Sequence, residues 1–265
     1  MSPADRVLAK PLRVLIVGGG IGGLCLAQAL KRAGISFAVC ERDHAPDARL
    51  QGYRLNIEPI GAAALHECLP PELWSLFVAT AGDAGASMGI YDEHLRLLMR
   101  EDPRPASAAA TDRAHAVSRA TLRRLLLAGL EAEVSFGKEF VRFERLPDNK
   151  LKAIFADGDF ITGDVLVGAD GVNSRVCRQL LPDARLIDTG GIGIGGKLPL
   201  NADVEAWLPS PLLLGKNMIL PERDFLFTAM FRRRMSSSTP DSSHALAPLS
   251  SDLAKADADE ADYIM

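Results

Sequence analysis

The sequence predicts an α/β fold, and three observations predict it. Residues 12–41 read as a strand, a glycine-rich turn, a helix and a second strand. Residues 139–162 alternate and turn in the manner of a β meander, and residues 164–170 read as a further buried strand that ends on an aspartate.

Leu12–Val17 is a short apolar run bounded by glycine, which suits a buried parallel strand. From Ile21 the period becomes helical: Leu26, Ala29, Leu30 and Ala33 recur on one side, with Lys31 and Arg32 on the other. Gly34 is placed to end that helix, and Ile35–Cys40 forms a second strand closing at Glu41. Pro59–Leu69 and Pro71–Ala79 predict two helices divided by Pro70-Pro71. Met88–Tyr91 and Leu95–Met99 predict a hairpin around Asp92-Glu93, and residues 101–112 a loop. Ser118 is placed to cap a helix from Arg119, with Leu122, Leu125 and Leu126 on one face and Gly129 near its end.

Glu139–Leu146, Leu151–Phe155 and Phe160–Thr162 then form the meander, turning at Pro147-Asp148-Asn149 and at Asp157-Gly158. Asn173 or Ser174 caps a short helix that stops before Pro182. From Arg185 the character changes. Glycines crowd residues 190–196, and strand-like pieces lie at Asn217–Leu220 and Phe225–Phe231. Residues 235–251 are a low-complexity loop, and Asp252–Asp262 carries five acids against Lys255. Tyr263-Ile264-Met265 reads as the beginning of a strand.

Composition excludes several classes. Net charge is −4, so nothing basic points to nucleic acid. Cys25, Cys40, Cys68 and Cys177 form no CxxC pair and no metal-like spacing with the histidines, which suits reduced, mostly buried thiols in a cytoplasmic protein. Val14–Leu30 spans 17 residues without a charge, but five of them are glycines and Gln28 interrupts the apolar face. That composition argues against a membrane span or a secretory signal.

The glycines carry the chemistry. Gly18-x-Gly20-x-x-Gly23 follows a strand and opens a helix. Gly18 permits the tight turn, Gly20 lets backbone approach a pyrophosphate, and Gly23 lets the helix lie on the strand. Glu41 lies 18 residues beyond Gly23, at the end of the second strand, where a carboxylate accepts from ribose hydroxyls and disfavours a 2′-phosphate. The pattern itself leaves NAD and FAD open.

Three further segments resemble the group A (para-hydroxybenzoate hydroxylase-like) FAD-dependent monooxygenases. Asp164, Leu166-Val167-Gly168-Ala169-Asp170-Gly171, Ser174 and Val176 match the family's second flavin fingerprint. Ser118-Arg119-Ala120-Thr121-Leu122 looks like its R-x-x-L helix, and Gln51-Gly52-Tyr53-Arg54-Leu55 like the segment that packs against flavin. The resemblance implies a Rossmann-like, glutathione-reductase-type FAD-binding domain with a β meander at residues 1–184, including a substrate-sheet hairpin near 86–100. An incomplete β-sheet substrate domain with an acidic tail follows at 185–265. It implies FAD contacts from Asp170, Arg119 and Arg54, besides Gly18, Gly20, Gly23 and Glu41. A cation in the first turn of a helix faces the positive end of the dipole, and an anionic ligand relieves that at Arg119. Arg123 and Arg124 read as helix surface.

The implied reaction is hydroxylation or epoxidation of a small organic substrate, aromatic or a secondary metabolite, using NADPH and O2 through a C4a-hydroperoxyflavin. The flavin carries the chemistry, so no catalytic acid or base is nominated. His44, His66, His94, His115 and His244 read as structural or exposed. The family's later G-D-A-x-H-x-x-x-P motif is not found; Gly82-Asp83-Ala84 mimics its start and reads as a loop. This departure marks a chain truncated at its C-terminal side and keeps open an inactive remnant. An NAD-dependent dehydrogenase is the other alternative, though it leaves the Asp170 segment and Arg119 unexplained. The halogenase W-x-W-x-I-P motif is absent, since Trp74 and Trp207 stand isolated.

Overall fold

The first strand–helix–strand unit forms where the apolar periodicity places it. The structure, a computed structural model, describes residues 12–48, 53–83, 88–101, 109–232 and 262–265. In chain order the elements begin β1 (Arg13–Val17), α1 (Ile21–Arg32), β2 (Ser36–Cys40), β3 (Arg54–Ile57), α2 (Pro59–Cys68) and α3 (Pro71–Thr80). Next come β4 (Gly82–Asp83), β5 (Met88–Tyr91), β6 (Leu97–Glu101), β7 (His115–Ser118), α4 (Arg119–Leu127) and β8 (Val134–Ser135). The meander strands β9 (Phe140–Arg145), β10 (Leu151–Phe155) and β11 (Phe160–Gly163) lead to β12 (Val165–Gly168) and α5 (Arg175–Leu180). The last are β13 (Leu198–Pro199), α6 (Ala202–Trp207), β14 (Lys216–Ile219), β15 (Leu226–Phe231) and β16 (Tyr263–Ile264). The chain divides into two compact units, residues 1–50 with 126–188 and residues 51–125 with 189–265.

In the first unit a parallel sheet runs in the order β12-β1-β2-β8. Its register sets Val17 of β1 beside both Cys40 of β2 and Gly168 of β12, so three strand ends lie side by side. Leu15 and Ile16 are wholly buried, as an apolar run covered on both faces should be. Gly34 takes φ +67° just past α1. There its N–H donates to Lys31 O at 3.1 Å while the Ile35 N–H donates to Leu30 O at 3.0 Å. This is the left-handed glycine stop in its two-bond form. The antiparallel meander β9-β10-β11 turns through Asn149 at φ +64° and Gly158 at φ +87°. Its Phe140, Ala153 and Phe155 join Leu15, Val17, Cys40 and Val176 in one core. Burying each large apolar side chain contributes about 1.5–3 kcal/mol.

In the second unit six strands run in the order β13-β16-β15-β14-β5-β6, and three more in the order β3-β7-β4. The β5–β6 hairpin forms as predicted. Its turn is held by the Asp92 carboxylate, which accepts from His94 N at 2.9 Å and Arg96 N at 2.8 Å. The backbone bond from Arg96, foremost, holds Asp92 below its ordinary acidity range. Ala116, Phe231 and Tyr263 form a core here. Tyr263–Ile264 pairs with both β13 and β15, so the strand read at the end of the sequence is present.

Several expectations need correction. Gly82 and Asp83 are not loop: they pair with Ala116 and His115 of β7, while Ala84 lies outside the described residues. Ser118 does not cap α4. It ends β7, and its hydroxyl is buried without a hydrogen-bond partner. Arg123 is not surface but buried, at 7% exposure. Residues 110–112 form a 3-10 turn within the expected loop, of which 102–108 lie outside the described residues. The low-complexity loop, the acidic stretch before Asp262, Gln51-Gly52 and His244 also lie outside them. All four cysteines are free, but only Cys40 is buried, and Cys177 is exposed. No helix among the described residues is long and apolar enough to cross a membrane.

Candidate functional site

The site in the first unit grows from the carboxyl ends of β1, β2 and β12. Gly18 leaves β1 at φ +111°, a conformation that disfavours any side chain. A Cβ there would stand 2.3 Å from the Ala169 carbonyl oxygen and 2.9 Å from the Asp170 nitrogen. The Gly18 N–H donates to the Cys40 carbonyl at 2.8 Å, and Ala169 N donates to Val17 O at 2.7 Å. The first glycine and the later aspartate motif therefore meet backbone to backbone. A Cβ on Gly23 would stand 2.1 Å from the Gly18 carbonyl, so the third glycine lets α1 close on the turn. Gly20 differs: no atom lies within 4 Å of where its Cβ would be. It opens α1 with extended backbone, and the first turn of α1 contains no acid. The amides there have no acceptor within the helix. Open space at the positive end of a helix suits a diphosphate.

Glu41 is held in place from every side. Its Oε2 accepts from Gly19 N at 2.7 Å and its Oε1 from Asp43 N at 2.9 Å. Its own backbone donates to Ser135 O and accepts from Lys138 N, both at 2.8 Å. Lys138 is anchored in turn by Asp157, at 2.6 Å, and Asp159. Hydrogen bonds from those two carboxylates push the Lys138 pKa up. Sequence reasoning passed over Gly19. The signal was the middle glycine of the Gly18-Gly19-Gly20 run, since a Cβ there would stand 3.0 Å from Glu41 Oε2. Next to the turn, burial pushes the Cys40 thiol up to about 11, against smaller opposing effects of Lys138 and Arg13.

Asp170 is engaged by its own helix. Oδ1 accepts from Ser174 Oγ at 2.5 Å, and Oδ2 accepts from Arg175 N at 2.7 Å and Val176 N at 3.3 Å. Ser174 caps α5, its side chain accepting from Cys177 N at 2.8 Å. Of the two caps the sequence allowed, Ser174 is the one used. Gly171 follows at φ +79°. The aspartate thus fixes the turn beside Gly18.

In the second unit Arg54 is buried at 6% exposure, opposite Ser118 across the β3–β7 pair. Arg119 opens α4, donates its N–H to Tyr53 O at 3.1 Å and sets its guanidinium 5.8 Å from the Tyr53 ring centroid. His115 is wholly buried, with Nε2 2.7 Å from Ala110 O. His94 is exposed beside Glu93, and His66 packs edge-on to Trp74. No cluster of potential metal ligands occurs among the described residues.

Residues 16–79 match the NAD(P)-binding Rossmann-like domain family. A dual O-methyltransferase/FAD-dependent monooxygenase of Phaeosphaeria nodorum is 37% identical over 207 residues, 76% of this chain and 22% of that protein. An FAD-dependent monooxygenase of Talaromyces islandicus is 31% identical over 174 residues, 65% of this chain and 42% of that one. A solved structure from Photorhabdus luminescens, described as an FAD-containing monooxygenase, superposes with a TM-score of 0.73 at 36% identity. It is matched over 84% of this chain and 56% of its own. Over most of its length the chain is similar to parts of FAD-dependent monooxygenases. It spans well under two thirds of the length of these relatives. The three joined strand ends are the part whose geometry the sequence motifs describe.

Proposed function

We propose that this chain is the FAD-binding part, with some of the substrate sheet, of a monooxygenase that hydroxylates or epoxidises a small organic substrate. O2 and NADPH are the proposed co-substrates, and an aromatic compound or secondary metabolite the proposed substrate class. The observation that supports the reading is the close approach of the Gly18 turn to the Ala169–Asp170 peptide, which sets the segment resembling the second flavin fingerprint beside the dinucleotide turn. The FAD-dependent monooxygenases among its relatives support the same choice.

The residues present fit the cofactor. Gly20 leaves room for backbone to approach a diphosphate, and the first amides of α1 offer donors to it. Glu41, already oriented by Gly19 and Asp43, offers its carboxylate to ribose hydroxyls. Asp170 holds the turn at the end of β12 and keeps Ala169 against Gly18. Arg54 and Arg119 are proposed as cationic contacts. When bound, FAD supplies the reductive activation of O2, and the protein supplies position and exclusion of water.

The test is flavin retention. Glu41→Ala is expected to weaken FAD binding by roughly tenfold or more, as loss of a charge-assisted acceptor implies. Unchanged flavin occupancy in that variant refutes the assignment of Glu41.

A further inference from the structure

Within the second unit, the sheet strands β6, β5, β14 and the start of β15 bury one face and leave the other open. On the buried face lie Tyr91 of β5, Asn217 and Ile219 of β14, and Thr228 of β15. The residues that alternate with these point the other way. Among them Met99, Ile90, Met218 and Phe227 are directly opposed in turn across β6, β5, β14 and β15, so they form one apolar row. Met99 is 57% exposed and Phe227 36%, while Ile90 and Met218, on the inner strands, are only half-buried. A covered sheet does not leave its inner strands wet: Leu15 and Ile16 of β1 are wholly buried. The neighbouring row on the same open face is Glu101, Met88 and Lys216, in β6, β5 and β14. An acid and a base thus stand one strand to either side of Met88.

We propose that this open face is the interface of a homodimer, two copies packing sheet on sheet about a twofold axis that runs along β5. Such an axis lays β6 of one copy over β14 of the other, because those two strands flank β5. Ile90 then meets the partner's Ile90. Met99 meets the partner's Met218, and Glu101 the partner's Lys216, each twice over. A twofold interface requires a surface that complements itself, and the mirrored Glu101 and Lys216 supply that condition. Facing sheets interdigitate at about 10 Å, a distance that long side chains bridge. Methionine and aromatic side chains are enriched at interfaces, and charges beside them set register more than affinity. A membrane surface or a nucleic acid fits worse, since one cation balanced by one anion draws neither. The proposal is independent of the FAD reading.

Sedimentation equilibrium of the purified chain over roughly 1–100 μM tests this, with melting of each variant alongside. The wild type is expected to reach a dimer and stop there. Glu101→Lys and Lys216→Glu each turn two attractive pairs into repulsive ones, and each should weaken the dimer about tenfold. The double variant exchanges the charges and should return to within about threefold of wild type. Met218→Asp sets two carboxylates into the apolar row and should leave a monomer over the same range. Its melting temperature decides whether that monomer is folded. Should it unfold, the charge exchange decides alone: restoration by the double variant supports the interface, and a double variant as weak as the single ones overturns it. A wild type that stays monomeric throughout overturns the proposal. So does association that a folded Met218→Asp leaves intact, or association that grows past the dimer, since a closed twofold has no face left over.

Discussion

Replacing Gly20 by alanine separates the ligand's demands from those of the fold. Gly20 has φ −80° and ψ −177°, open to any residue, and its added methyl meets no atom within 4 Å. Gly20 is the N-cap of α1, where alanine is poorer than glycine, and the loss of glycine's unfolded-state freedom offsets part of that, so folding stability should fall by no more than about 1 kcal/mol. The diphosphate has no such tolerance. A methyl at the mouth of α1 stands where the ligand must approach backbone amides, and a hydrogen bond to a charged group is worth about 1.5–3 kcal/mol. FAD affinity should fall roughly 10- to 150-fold, read by flavin fluorescence titration, while urea unfolding of the ligand-free protein moves by no more than that capping cost. A variant that binds FAD within twofold of wild type refutes the placement of the diphosphate at Gly20. A variant destabilised by more than about 2 kcal/mol refutes the claim that the space there is empty.

Three other outcomes follow from the same geometry. Gly18→Ala combines φ +111° with a 2.3 Å approach to Ala169 O, and should destabilise the protein by about 2–5 kcal/mol in urea unfolding; an unchanged midpoint would contradict it. Asp170→Ala removes the acceptor of Ser174 Oγ, Arg175 N and Val176 N, and should cost about 1–3 kcal/mol while loosening FAD; intact stability with lost FAD would instead make Asp170 a direct ligand. The Cys40 thiol is raised to about 11 in the fold, so its contribution is present below the ordinary value of 9.0 and lost as pH climbs from there towards 11. Urea unfolding at pH 8 and pH 10.5 should show a loss, of order 2 kcal/mol, that Cys40→Ala abolishes; equal slopes in both proteins would contradict it.

The βαβ unit and the meander were legible because their signals are local. The Leu12–Val17 run, the helical period after Ile21 and the turn residues Asn149 and Gly158 each act through their own backbone. β3 and β7 were not. Each is only four residues long, and polar Arg54, Asn56, His115 and Ser118 interrupt any apolar pattern. Pairing with each other makes them strands, which no window of sequence displays. The same pairing overrode the capping preference of Ser118, and the burial of Arg123 runs against a leucine stripe that marks the neighbouring positions as core. At the site, the glycines and Glu41 were readable by type and spacing, whereas the contact of Gly18 with Ala169 depends on β1 and β12 being neighbours.

The central claim is that the strand ends around Gly18, Gly20, Glu41 and Asp170 hold a flavin dinucleotide. Equilibrium dialysis of the purified chain against FAD and NAD in parallel tests it directly. The account predicts uptake of about one FAD per chain and an accompanying shift in the flavin absorption bands, with NAD left in the dialysate. Retention of NAD with FAD left behind would contradict it.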